Sequence, residues 1–500
     1  MVEKSIKEIN SRIEDGSVNV VTAEEMVDIV ADLGADGAAK EVDVVTTGTF
    51  GAMCSSGVWL NFGHSEPPIK MSKIWLNEVE AYTGVAAVDA FIGATQLSET
   101  EGMNYGGAHV IEDLIRGKSI DVHATAYGTD CYPRKLLDTT LNIYDLNQAI
   151  MINPRNAYQK YNAATNGSNH KIYTYMGTLL PSCGNVTYSG AGVLSPLCND
   201  PNYETIGIGS RIFLGGSQGY IIGEGTQHSP QNNFGTLMVR GNLKEMSSDY
   251  IRAATFEGYG TSLYVGMGIP IPIINERVAL ATAITDADIT TNVLDYGVPS
   301  RDRPKLAEVT YEELRSGTVE INGKDIPTSS MSSFKMARKI AGELKQWIKG
   351  GDFFVSEPVE LLPKNTSCKP MKQRDRNLLV KDIMSTEVIT INQDATFHKA
   401  AKTIVENAYT HLPVVKKDGT IAGIVTAWDI SKAVAEENYK LVKDIMTKKV
   451  ITANATDPVE VAARNLDLNG LSAMPVLNSK QEVIGIVTSD DISKLIARRQ

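Results

Sequence analysis

Two of the five cysteines stand where a thiol can do chemistry. Cys54 lies in TGTFGAMCSSG (47–57), a strand-like run that breaks into a Gly-rich loop. Such a loop lets backbone N–H groups converge on an anion, and a Cys opening a helix behind it would ionise more readily. Cys131 lies in AYGTDCYPRK (126–135), just past the alternating run 121–127, in which Val122, Ala124 and Ala126 share one face. That places it at a strand end or loop, where reactive groups of α/β sheets gather. Arg134 and Lys135 favour a thiolate at Cys131 if they fold over it, and Asp130 opposes one. Only the thiolate is a nucleophile or sulfur carrier. The residues alone leave Cys131 balanced between working thiol and core filler, because free Cys is among the most buried residue types.

The other candidates are weaker. Cys183 (LLPSCG) and Cys198 (SPLCN) sit beside Pro without a basic neighbour and read as structural, while Cys368 falls in a linker-like stretch. His64 and His109 are lone histidines in polar, turn-like settings, a pattern more often structural than catalytic. The glycines from Gly207 to Gly225 read as bulges and tight turns rather than an anion loop. An odd number of widely spaced cysteines is no disulfide framework. No C-x-x-C spacing supports an iron–sulfur or zinc site, so the motifs call for no cofactor or metal in this part. Any electrons must come from elsewhere.

The elements that position these residues follow from composition and pattern. A chain of 500 residues with 42% hydrophobic content can build two or three domains with sizeable cores. A net charge of −11 argues against a nucleic-acid binder. No run approaches a membrane span, and the N-terminus reads as an amphipathic helix (Ile6, Ile9, Ile13) rather than a signal peptide. A cytoplasmic protein is expected. Thr22 to Glu25 form a capping box opening a helix to Gly34, ahead of a strand at 42–45. This alternation predicts a mixed α/β main domain over 1–354, more β-like between about 170 and 265 and closed by a helix within 331–351. Residues 355–376, with Pro358, Pro363 and Pro370, read as a linker.

The C-terminal part is a tandem duplication. KDIM (381–384) recurs at 443–446, VIT (388–390) at 450–452, HLPV (411–414) as AMPV (473–476), and GIVTAWD (423–429) as GIVTSDD (485–491). Every pair is offset by the same interval without a gap, as in a repeat. Each copy, 377–438 and 439–500, predicts a short strand at VIT, a helix, two strands and a closing helix. This β-α-β-β-α pattern resembles a pair of CBS domains, a regulatory module that binds adenosyl ligands. On that resemblance Thr426 and Thr488 approach a phosphate or polar tail, and Asp429 and Asp491 accept ribose hydroxyls. The plainer reading is that these residues only cap their helices.

Residues 1–354 are similar to the family once listed as a domain of unknown function and later tied to homocysteine biosynthesis. The likeness rests on TGTFGAMCSSG (47–57), HVIEDLIRGK (109–118), AYGTDCYPR (126–134) and IGSRIFLGGSQG (208–219). It implies a sulfurtransferase of methane-producing archaea that puts reduced sulfur onto L-aspartate semialdehyde to make homocysteine. It further implies a sulfide donor and a small ferredoxin-like electron-transfer partner. In that chemistry Cys131 is the expected persulfide carrier, and Cys54 a second thiol that resolves a disulfide or relays sulfur. Arg134 or Arg211 is the expected carboxylate contact. S-adenosylmethionine, or else an adenine nucleotide, is the expected CBS ligand and regulator, and a homodimer the expected assembly. Two other classes fit less of the pattern: a non-catalytic adenosyl-ligand sensor and a Cys-dependent acyltransferase.

Overall fold

The computed structural model of the chain describes residues 3–371, 378–437 and 440–497. These fall into two compact units, Met1–Lys369 and Pro370–Gln500. In the first unit, helix Ala23–Glu41 opens on the expected capping box, in which Thr22 accepts from Glu25 N–H and Glu25 reaches back to the Thr22 N–H. Helical geometry breaks at Gly34 (φ +70°), where glycine tolerates the left-handed region, and then resumes to Glu41. The strand Val44–Thr46 follows, parallel to Val20–Thr22.

That parallel pair is an exception. Most of the unit is built from antiparallel sheets, the largest of nine strands. Its centre pairs Gln148–Asn156 with Gly57–Asn61 on one side and Leu237–Asn242 on the other. Thr49–Ala52 joins it through Gly260–Gly268. A six-stranded sheet contains Ile120–Thr125, whose buried and exposed residues alternate as the sequence predicts, and its hairpin partner Leu136–Leu141. A second six-stranded sheet is mixed, with Thr290–Asp295 antiparallel to Lys305–Thr310 and parallel to Ala163–Thr165. The glycine run makes turns and a bulge: Gly215 and Gly216, both at positive φ, turn the hairpin between Arg211–Leu214 and Ser217–Glu224.

The helix expected within 331–351 is Phe334–Lys349, capped by Ser333. It buries Ala337, Ile340, Ala341, Leu344 and Ile348, whose spacing makes one apolar stripe. The segment read as a linker behaves differently. Val355 and Leu362 are buried, and Glu360–Leu361 pairs with Gly207–Ile208, so residues 355–369 fold onto the first unit. Its prolines break periodicity but leave two apolar anchors, which is enough to dock an extended strand. The remainder of that expected linker at 372–376, and the expected boundary between the CBS copies at 438 and 439, lie outside the described residues.

The second unit repeats itself element for element. Phe397–Asn407, His411–Val415, Ile421–Thr426 and Ala427–Ala435 match Val459–Leu468, Ala473–Leu477, Val483–Thr488 and Ser489–Ala497. The first strand of each copy is shifted from its expected place: it is Ile391–Asn392 and Ala453–Asn454, one step beyond VIT. The buried Ile391 and Ala453 pair with the central strand, so the hydrogen-bonded register is set there.

Candidate functional site

Cys54 does not start a helix. Gly57–Asn61 carries on as a strand because its inward residues alternate, so Cys54 and Ser55 become the tip of a tight strand-to-strand turn. The turn is closed by Ser56 N–H donating to Met53 O at 3.0 Å. The register that pairs Tyr264 with Ala52 brings Ser262 opposite the turn. The Ser262 hydroxyl, fully buried, lies 3.1 Å from Cys54 Sγ.

The turn faces a cavity of about 610 Å³ lined by Cys54, Arg155, Arg301, Arg303 and five tyrosines, 158, 161, 175, 259 and 296. Burial pushes the Tyr158 and Tyr259 hydroxyls up to about 12, and the neighbouring Cys54 adds to both. Burial raises Tyr161 and Tyr296 far beyond the usual phenol range, with Tyr175 reinforcing both. These four phenols are therefore neutral donors at neutral pH, and the fixed charge of the cavity is that of its arginines. Arg155 donates from Nε to Thr226 Oγ1 at 3.2 Å, and Arg301 pairs with Asp302 at 3.0 Å. Arg303 lies over the Tyr296 ring, 3.8 Å from its centre.

Cys131 has another setting. Thr129 and Tyr132 exchange backbone hydrogen bonds of 2.9 and 3.1 Å, leaving Asp130 and Cys131 as the exposed tip of a hairpin. Its sulfur lies 3.6 Å from Thr129 Oγ1. Arg134 turns away to the backbone: Nε donates to Pro67 O at 3.1 Å, and Nη2 to Glu66 O. Neither Cys131, Arg134 nor Arg211 lines the Cys54 cavity. Arg211 begins a strand and is anchored by its own N–H to Ser356 Oγ at 2.8 Å.

The remaining candidates lie outside that cavity. Cys198 is buried and donates to Gln159 O at 3.2 Å, and burial pushes its thiol up to about 12. Cys183 sits at φ +57°, and exposed Cys368 donates its N–H to Ser229 Oγ at 3.3 Å. His109 stacks on Tyr105 at 5.1 Å, and burial lowers its pKa against the pull of Glu112 and Asp113. His64 stacks on Tyr132 at 5.8 Å.

In the second unit the two Thr/Asp pairs adopt one geometry. Thr426 Oγ1 donates to Asp429 Oδ2 at 2.7 Å and accepts from Asp429 N–H, while Asp429 Oδ2 accepts the Thr426 N–H. Thr488 and Asp491 repeat this. All four residues therefore serve as caps, whatever else they do. A cavity of about 330 Å³ draws on both copies, with Glu387, Val388, Ile389, Tyr409 and His411 from the first and Ile486 and Thr488 from the second. Thr426, Asp429 and Asp491 do not line it. His411 Nε2 lies 3.1 Å from Ser472 Oγ, and burial lowers its pKa while Asp429 opposes that shift.

Sequence reasoning missed Arg155, Arg301, Arg303, Glu387, Tyr409 and His411. For the last three a signal existed: they are positions where the repeat breaks, facing Lys449, Leu471 and Ala473 in the other copy.

A thiol held at a turn in an arginine-lined cavity is the site of a cysteine-bearing enzyme domain, followed in the chain by a duplicated CBS-type unit. The chain belongs to the homocysteine biosynthesis enzyme, sulfur-incorporation family, whose model matches residues 18–355, and the CBS domain model matches 380–436 and 442–498. It is 66% identical over the full length of both chains to an L-aspartate semialdehyde sulfurtransferase of Methanosarcina acetivorans. It is 53% identical, again over both full lengths, to one of Methanocaldococcus jannaschii. Among solved structures it is similar to a CBS domain pair in complex with 5′-methylthioadenosine and S-adenosyl-L-methionine. That likeness has 39% identity, a TM-score of 0.24, and covers 25% of this chain and 98% of the other.

Proposed function

We propose that this chain is an L-aspartate semialdehyde sulfurtransferase that forms L-homocysteine in the cytoplasm, with Cys131 and Cys54 dividing the work. The observation that carries this reading is the position of Cys54 in a cationic cavity large enough for a small anionic amino-acid aldehyde. Cys131, at an exposed hairpin tip, accepts sulfur where a donor can reach it. The Cys54 sulfur then attacks that outer sulfur, the S–S bond at Cys131 breaks with Cys131 leaving as the thiol, and Cys54 presents the sulfur to the aldehyde as a persulfide.

The outer sulfur attacks the carbonyl carbon, a C–S bond forms, and the carbonyl pair moves onto oxygen. The Arg155 guanidinium and the neutral phenol donors stabilise that oxyanion, and two protons passed from solvent through the phenols let it leave as water. Counted from hydrogen sulfide, the aldehyde and the sulfide take up two electrons and two protons and give the thiol and one water. Sulfur arriving as a persulfide needs two further electrons and two protons to cleave its S–S bond and restore the Cys54 thiol. A small ferredoxin-like protein supplies these electrons. The CBS pair binds an adenosyl ligand, S-adenosylmethionine or an adenine nucleotide, and mediates a homodimer. The ligand changes activity to the extent that it prefers one of two enzyme conformations.

The test is anaerobic purification and peptide mass analysis, paired with homocysteine assays. A sulfur adduct of about +32 Da on the Cys131 and Cys54 peptides, lost on incubation with aldehyde and reductant, is expected. Full homocysteine formation by both Cys131→Ala and Cys54→Ala would sink the mechanism. Calorimetry of the full chain with S-adenosylmethionine and AMP tests the CBS ligand, and light scattering tests the dimer.

A further inference from the structure

We propose that Arg303 binds the α-carboxylate of the substrate in the Cys54 cavity and so sets the preference for an amino-acid aldehyde over a plain one; this rests on the sulfurtransferase reading above. Arg303 lies in the loop between strands Thr290–Asp295 and Lys305–Thr310 and lines the cavity that holds Cys54. Its guanidinium sits 3.8 Å from the centre of the Tyr296 ring. The Tyr296 hydroxyl meets the Tyr175 hydroxyl at 2.7 Å, so the ring beneath the guanidinium is itself tied down. Stacking fixes the guanidinium plane and leaves its N–H donors to act edge-on.

One of those donors is unmet. Arg303 Nε is buried with no hydrogen-bond partner, and no carboxylate among the described residues forms an ion pair with Arg303. The other two cavity arginines differ: Asp302 balances Arg301, and Thr226 accepts from Arg155 Nε. A buried guanidinium donor without an acceptor is costly, so its persistence in a cavity points to a ligand that completes it. A carboxylate offers two acceptor oxygens at the spacing of the Nε and Nη fork. With the carboxylate at Arg303, the aldehyde end of the same short molecule is left for Cys54.

The experiment compares L-aspartate semialdehyde with 3-aminopropanal, the same aldehyde without its carboxylate, on the full chain under a saturating small-molecule persulfide and reductant. In Arg303→Met the KM for aspartate semialdehyde is expected to rise roughly 10- to 100-fold, as for loss of a charge-assisted pair, with kcat little changed. Turnover of 3-aminopropanal should hardly move. Arg303→Lys keeps a charge but not the fork, and falls between the two. Binding of the product L-homocysteine, measured by calorimetry, should weaken by a similar factor and does not depend on turnover. Equal losses with both aldehydes, or unchanged homocysteine affinity, overturn the proposal. A wild-type chain that binds homocysteine through Arg303 but never forms it supports the carboxylate site and sinks the sulfurtransferase reading instead.

Discussion

The Cys54 turn and the Cys131 hairpin are the same local device, a cysteine at a strand-to-strand turn, in opposite surroundings. Around Cys54, a buried Ser262 hydroxyl, three arginines and a set of tyrosines converge from distant parts of the chain. Around Cys131, the sulfur is exposed, its nearby hydroxyl is two residues away in sequence, and Arg134 is committed to backbone oxygens. A thiol does chemistry on a bound molecule only where other groups can hold that molecule. A thiol that exchanges sulfur with another protein needs access instead. One turn suits the first task and the other suits the second.

The largest effect that can break this comparison is on activity. Cys54→Ser should lose on the order of 10³-fold or more in homocysteine formation with either a small-molecule persulfide or a protein persulfide donor. Cys131→Ser should stay within about tenfold of wild type with a small-molecule persulfide and fall steeply with a protein donor only. Matching losses with the small-molecule persulfide would end the division of labour.

The next effect is on stability. A Cβ on Gly57, just after the Cys54 turn, would lie 2.2 Å from Phe91 Cζ and 2.7 Å from Ile92 O. Gly57→Ala is expected to cost roughly 2–3 kcal/mol, because backbone cannot move aside as a flexible side chain does. Gly128, three residues before Cys131, is at φ +76° and a Cβ there would meet first the flexible Lys135 methylenes, so Gly128→Ala should cost about 1 kcal/mol. Denaturant unfolding of the two variants checks the ranking, and equal costs would mean the turns are equally constrained.

Smaller still are the caps of the second unit. Thr426→Ala and Thr488→Ala should each cost about 1 kcal/mol, read as loss of stability in thermal unfolding. The smallest effect involves Cys198, the thiol that neither turn uses. Its pKa is raised by burial, so the unfolded chain releases that proton first as pH rises. Its contribution to stability is complete below the ordinary thiol range and declines up to about 12. Cys198→Ala should flatten that alkaline decline. In native protein, iodoacetamide should label Cys131 and leave Cys198 untouched, and labelling of Cys198 at the rate of Cys131 would contradict its burial.

Much of the second unit was legible in advance because its information is local and written twice. The repeat interval carried over to each matched helix and to the two later strands of each copy, and only the first short strands moved. In the first unit the Thr22 cap, the Ile120–Thr125 strand and the Phe334–Lys349 helix were legible for the same reason. The sheets were not, because antiparallel pairing between segments far apart leaves no mark within either one. The docked segment 355–369 was misjudged because two buried side chains, Val355 and Leu362, outweigh its prolines.

From the residues alone it follows that Cys54 and Cys131 come just after strand-like runs, that the tail is duplicated, and that Thr and Asp stand where they can cap the repeated helices. Periodicity and capping act over a few residues, so those few residues are enough. Only the tertiary structure decided which thiol faces a cavity and which arginines share it. Arg155 ends one strand of the nine-stranded sheet, and Arg301 and Arg303 lie in a loop of another sheet. They reach Cys54 only when the sheets pack. Electrostatic and hydrogen-bonding environments depend on distance in space, and spacing along the chain does not encode it.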